Sequence, residues 1–354
     1  MQSTSEMTPT ETLIEDAERQ RRWLRRACWM GFASALAAIL FFVGHQVLVR
    51  WQLRQHGWVL ESSPLDNGLP NWTPNWAVPW IERIDSAKFE GAQLRVSDVE
   101  YLRHFPQLSE LELASTDAAD PALKAVSRLS ELQILFFNEV RIDAASLRHL
   151  AVLPKLEAIT FYAINLDDAA FESLGECQQL VFLHCHRASL REASLRHLMR
   201  LKALEHLSLS ECDLTNGGFA HIANCATLWD LRLEDVRITD NESSLPQMLN
   251  LKQLRLYECP VSDGGAKKLT KSCVNLETLW ILRAPMTDEA FRDFACLPNL
   301  RSLQIIDMPM TDEGIQQLKS CSTLQSLWLN STKVTAAGVN ELVKSLPNLE
   351  VSLE

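Results

Sequence analysis

The stretch from Leu300 to Leu324, LRSLQIIDMPMTDEGIQQLKSCSTL, reads as one strand, one turn and one helix. Leu300, Leu303 and Ile305 make an L-x-x-L-x-L frame, and its alternation suits a strand with one buried face. Met310 then precedes Thr311-Asp312, a helix start, and Leu318 and Cys321 carry the apolar side of the helix. The Thr311 hydroxyl suits an N-cap, and the acid after it suits the positive end of the helix dipole.

The same unit recurs down the chain. Its leading leucines are Leu108, Leu132, Leu156, Leu180, Leu204, Leu228, Leu251, Leu276, Leu300 and Leu324, spaced by 24 residues with slips of one around Leu251 and at the end. There, Leu349-Glu350-Val351-Ser352-Leu353 begins another strand. A first, degenerate copy starts near Ile81. A fixed period of this length is the signature of a solenoid, in which each copy buries its apolar face only against its neighbours. Offsets 0, 3 and 5 from each leading leucine point into the core, and offsets 2, 4 and 6 project from the other side of the strand. Helix-start chemistry recurs at Ile238-Thr239-Asp240, Val261-Ser262-Asp263 and Met286-Thr287-Asp288.

Written out, the pattern L-x-x-L-x-L-x-x-C-x-x-[apolar]-T-D resembles the cysteine-containing class of leucine-rich repeats. That class is best known from F-box adaptor proteins and is common in bacterial repeat proteins. Cys212 and Cys259 stand at its strand-exit position, eight residues after Leu204 and Leu251. Cys177, Cys225, Cys273, Cys296 and Cys321 fall near offset 21, late in the helix, and Cys185 replaces a core leucine at offset 5. The resemblance covers residues 81–354. It implies an α/β fold, a right-handed horseshoe solenoid with parallel strands on the concave side and helices on the convex side. Nothing in the chain resembles an F-box, so ubiquitin-ligase function is not implied.

Ahead of the repeats the composition changes. Residues 1–26 are polar and read as a cytoplasmic tail. Ala27 to Val49, ACWMGFASALAAILFFVGHQVLV, is the one long apolar run. About 20 apolar residues match the roughly 30 Å hydrocarbon core of a bilayer, so the run is predicted to be an uncleaved single-pass signal-anchor helix. Trp23, Trp29 and Trp51 near its ends suit the lipid–water interface. A cleaved signal peptide would have a shorter apolar core and a small-residue cleavage site. Arg19, Arg21, Arg22, Arg25 and Arg26 precede the span, against Arg50 and Arg54 after it. The positive-inside rule then places the N-terminus in the cytoplasm and the repeats outside. Residues 50–80 form a connector in which Pro64, Pro70, Pro74 and Pro79 exclude a long helix. Trp72, Trp76 and Trp80 are expected to cover the open end of the first repeat as an N-terminal cap.

The 354-residue chain is 47% apolar and carries a formal net charge of −11, which argues against a nucleic-acid partner. There is no C-x-x-C pair among the nine cysteines, so they read as small buried hydrophobes. Many unpaired thiols are unusual outside the cytoplasm; deep burial or the reverse topology would reconcile them with it. No G-x-S-x-G, H-E-x-x-H or phosphate-binding glycine loop occurs, and no catalytic residue or cofactor is predicted.

Function is therefore sought on the concave face. Phe136, Tyr162, Phe182, Tyr257, Trp280 and Trp328 project there as aromatic anchors, and Asp230, Arg232, Glu234 and Arg255 form a charged middle. Exposed aromatics with arginine are the composition of a protein-binding surface. The expected function is non-catalytic recognition of a partner protein by a membrane-anchored module. Two alternatives stand beside it. One is an envelope scaffold packing laterally through its repeats. The other is a metal site at His184, His186 and His206, where adjacent strands would bring His184 and His206 to a common ion.

Overall fold

The computed structural model describes residues 45, 47–62, 84–188, 190, 192–214, 218–238 and 245–354. The chain divides into two compact units, Met1–Gln55 with Pro64–Glu82, and His56–Ser63 with Arg83–Glu354. In the first, residues 47–55 are helical. Most of the predicted span at 27–49 and the cap tryptophans Trp72, Trp76 and Trp80 lie outside the described residues. Among those described, no helix is long and apolar enough to cross a membrane.

The second unit is built on one thirteen-stranded sheet whose strands follow sequence order. They are β1 (Trp58–Ser62), β2 (Ile84–Glu90), β3 (Glu110–Ala114), β4 (Ile134–Asn138), β5 (Ala158–Tyr162), β6 (Phe182–His186) and β7 (His206–Ser210), then β8 (Asp230–Glu234), β9 (Gln253–Tyr257), β10 (Thr278–Leu282), β11 (Ser302–Ile306), β12 (Ser326–Asn330) and β13 (Glu350–Leu353). β1 pairs antiparallel with β2, and each later strand pairs in parallel with the one before it. Trp58 on β1 packs on Phe89 at 5.0 Å between ring centroids and is 2% exposed, so this antiparallel strand covers the first repeat. Gly57 enters it at φ +89, with no room for a Cβ beside the Glu90 carbonyl. β1 lies within residues 50–80, the stretch expected to hold the connector and N-terminal cap.

Within a repeat the leucine frame does what its alternation predicts. Leu300, Leu303 and Ile305 are each 0% exposed. On β11, Ser302, Gln304 and Ile306 are half-buried on the opposite side. Most leading leucines are turned into their strands by a tight turn: Leu228 N–H donates to the Cys225 carbonyl, Leu276 to Cys273, and Leu324 to Cys321. Leu108, Leu132 and Leu349 make the same bond to Phe105, Leu129 and Leu346. The late-helix position therefore contributes a carbonyl and an apolar plug, which cysteine, leucine or phenylalanine can supply. Truncating a fully buried leucine of this frame to alanine would cost about 2–5 kcal/mol.

Each strand from β3 to β12 leaves through a residue in the left-handed region. Ser115, Glu139, Ala163, Arg187, Glu211, Asp235, Glu258, Arg283, Asp307 and Ser331 all have φ between 48 and 54, and none is glycine. The return limbs are short α-helices in most copies and 3-10 helices at Ala144–Val152 and Glu192–Arg200. In both of these the sequence is S-L-R-H-L, and the histidine reaches back to the first helical acid of the preceding repeat. His149 meets Asp120 at 2.8 Å and His197 meets Asp168 at 3.3 Å.

The cysteine reading holds with one correction. Cys177, Cys185, Cys212, Cys225, Cys259, Cys273 and Cys321 are buried, but Cys296 is exposed. Cys296 sits one residue before the position that faces the core, and Leu297 takes that position at 2% exposure. The strand-exit position is not specific to cysteine either. Val140, Ala188, Val236 and Met308 fill it in other copies, all buried.

Candidate functional site

A parallel sheet is usually covered on both faces. Here one face packs against the helices, while the other carries half-buried side chains at offsets 2, 4 and 6. This open face holds the residues expected to bind a partner, in three rows set by the strand register.

The charged middle is a network. Asp230, 7% exposed, accepts through Oδ2 from His206 Nδ1 at 3.0 Å and from Arg255 Nη1 at 3.1 Å. A carboxylate acceptor fixes the His206 proton on Nδ1. Arg232 Nη2 donates to Glu234 at 2.8 Å, and Arg255 Nη2 donates to Gln253 at 2.9 Å. Arg232 and Arg255 are direct neighbours in register, yet each guanidinium lies over an aromatic ring. Arg232 is 4.6 Å from the Tyr257 centroid and Arg255 is 4.9 Å from that of Trp280. Each such contact contributes about 0.5–1 kcal/mol when partly exposed. The two arginines are thus held side by side by one carboxylate and one ring apiece. Burial raises the Tyr257 phenol above its ordinary value, so the ring stays neutral beneath Arg232.

The aromatic residues are distributed unevenly. Tyr162 stacks on His186 at 4.7 Å, and Phe182 lies 6.0 Å from His206. Phe136 stands between Glu112 and Thr160 in register. Trp328 is 41% exposed and is separated from Trp280 by Gln304, so these two tryptophans do not stack on each other.

The metal reading is corrected. In register His206 lies opposite Phe182, while His184 faces Ser208 and His186 faces Ser210. The three rings serve different partners. His206 is bonded to Asp230 and packs on Trp229 at 4.5 Å, and His186 bonds the Ser210 hydroxyl. Among the described residues no group of three potential ligands is placed to hold a metal ion. The signal was available in the sequence: His184 is at offset 4 from its leading leucine and His206 at offset 2, so in-register strands cannot oppose them.

Several site residues escaped the sequence reading. Trp229, at offset 1, donates its indole N–H to Glu205 at 2.9 Å and forms a wall beside His206. Along the left-handed row, Arg187 pairs with Glu211 at 3.1 Å, and Arg283 bridges Glu258 at 2.8 Å and Asp307 at 2.6 Å. Offset 7 repeats as faithfully as the core positions, so listing it copy by copy would have found this rim.

No family model and no curated protein matches the chain. Similar solved structures include an internalin (inlF) from Listeria monocytogenes, 17% identical, with a TM-score of 0.45 and coverage of 77% of this chain and 86% of that one. The plant peptide hormone receptor RGFR1 in complex with RGF2 is 14% identical, with a TM-score of 0.39, covering 78% of this chain and 49% of that one. The TLR13–ssRNA13 complex is 20% identical, with a TM-score of 0.49, covering 75% and 42%. The chain spans less than half of the latter two. It has a leucine-rich-repeat fold, which its own register and period establish.

Proposed function

We propose that the chain is a non-catalytic recognition module that binds a partner protein on the open, concave face of its repeats. The observation that carries this is the Arg232–Tyr257 and Arg255–Trp280 pairing, with Trp328 exposed beyond it. Arginines and large aromatics fixed on an uncovered face are the residues that dominate binding energy at protein interfaces. Residues 27–49 anchor the module in a membrane as a single-pass helix, with residues 1–26 cytoplasmic and the repeats extracytoplasmic. The length of the apolar run and the arginine bias before it support that placement.

Substituting Trp280 and Trp328 with alanine should abolish capture of the partner while leaving the thermal transition in place. Capture equal to that of the unsubstituted chain would remove the aromatic anchors from the reading. For the topology, protease added outside sealed, right-side-out vesicles should digest the repeats. Protection of the repeats would place them in the cytoplasm.

A further inference from the structure

We infer, resting on the reading above, that the notch over Ser208 is a pocket for a carboxylate side chain, an Asp or Glu on an extended segment of the partner protein. His184, Ser208 and Arg232 occupy one row on three adjacent strands, in direct register. A serine between an imidazole and a guanidinium leaves a depression one side chain deep, with walls two strand spacings apart, about 9–10 Å. Its floor is Ser208, 5% exposed, and Ser210, fully buried.

The lining is rich in donors. The sealed, unpartnered polar atoms of this face are Asp230 Oδ1, Arg232 Nε, Arg255 Nε and Trp280 Nε1. The Ser208 hydroxyl has no hydrogen bond within the described residues and is not among those sealed atoms, so it opens into the notch. The His184 ring makes edge contacts with Phe182 and His186 and no hydrogen bond. Arg232 commits Nη2 to Glu234, and its Nη1 carries no hydrogen bond among the described residues. Of the acceptors nearby, Glu234 is engaged by Arg232, and Asp230 by His206 and Arg255 through Oδ2, with Oδ1 left unpartnered. A carboxylate entering the notch would meet a guanidinium, a hydroxyl and an imidazole N–H, whereas a lysine would meet Arg232 head-on. Burial, and then the charge of Arg232, hold His184 below the ordinary histidine value. Glu234 borders the notch, so a bound acid competes with it for Arg232.

The test is selection of phage-displayed random linear peptides on the full chain in detergent, followed by binding measurements with synthetic copies. Selected peptides should share an Asp or Glu at a fixed distance from an aromatic or aliphatic residue. Changing that acid to its amide should weaken binding about tenfold or more, the worth of a charge-assisted hydrogen bond. The loss should vanish in Arg232→Gln and shrink in Ser208→Ala, a change of one hydroxyl that leaves the fold intact. Glu234→Gln should tighten the acidic peptide by removing its competitor. Peptides that depend on Trp280 or Trp328 but carry no shared acid, or carry a shared Lys or Arg, would overturn the pocket and leave the recognition reading standing. Tighter binding of a single-stranded RNA probe than of any acidic peptide, lost in Arg232→Gln, would overturn it as well. Failure to recover any peptide dependent on the open face would overturn both.

Discussion

The Asp288 carboxylate reaches from one repeat to the next and accepts twice from Thr311, from its backbone N–H at 2.8 Å and from its Oγ1. Thr311 Oγ1 in turn accepts from Glu313 N–H at 3.2 Å and caps its own helix. The arrangement repeats from Asp263 to Thr287 and from Asp312 to Thr335. One short motif therefore caps a helix and bonds it to its neighbour.

This ladder leaves no space at the third helical position. A Cβ on Gly314 would lie 2.3 Å from Asp288 Oδ1, and one on Gly338 would lie 2.2 Å from Asp312 Oδ1. Helix propensity alone favours alanine over glycine by about 1 kcal/mol. We expect the opposite sign here, with Gly314→Ala destabilising by about 1–3 kcal/mol through displacement of the carboxylate. Urea unfolding of the variant decides it: an unchanged or raised midpoint would mean the aspartate has another place to go.

The left-handed row makes the reverse prediction. Ala163 at φ 53 bears a conformation that costs an L-residue about 1–2 kcal/mol, while its N–H bonds the His186 carbonyl at 2.9 Å. Ala163→Gly should keep the bond, lose the strain and stabilise by up to about 1 kcal/mol, where the same change at helical Ala170 should destabilise. Thermal melts of the pair test this, and a drop at both positions would show that strain at the strand exit is already relieved.

Hydrogen bonds from the Thr335 backbone and then its hydroxyl hold the Asp312 carboxyl below the usual carboxylate range. A depressed carboxylate contributes stability that is present above its unfolded value, about 3.9, and lost as pH falls through the lower folded value. Asp312→Asn should therefore be less stable at neutral pH and show a shallower loss below about pH 4. Parallel acid limbs for the two proteins would count against the ladder as a source of acid lability.

Thiol chemistry should separate one cysteine from its relatives. Burial pushes Cys177, Cys225 and Cys273 up to about 12 and Cys259 up to about 11, so these stay protonated and shielded. Cys296 is exposed. Brief alkylation of the native chain at neutral pH, read by peptide mapping, should label Cys296 and spare the buried seven. Equal labelling at Cys225 would indicate that the helical layer opens readily.

The repeat, the strand faces and the helix starts at Ser262 and Thr311 were legible in the sequence, for a physical reason, while Thr239-Asp240 lies outside the described residues. Every copy buries its own short frame against a near-identical neighbour, so burial follows from offset alone, as Leu300, Leu303 and Ile305 show. The same counting placed Tyr257, Trp280 and Trp328 on the open face. It did not reveal that Asp230 would collect His206 and Arg255, that Asp288 would bridge to Thr311, or that Cys296 would be displaced by Leu297. These outcomes depend on side chains from different repeats competing for one carboxylate or one core position. That competition is settled by distances across the sheet and between helices, which exist only once the repeats have stacked.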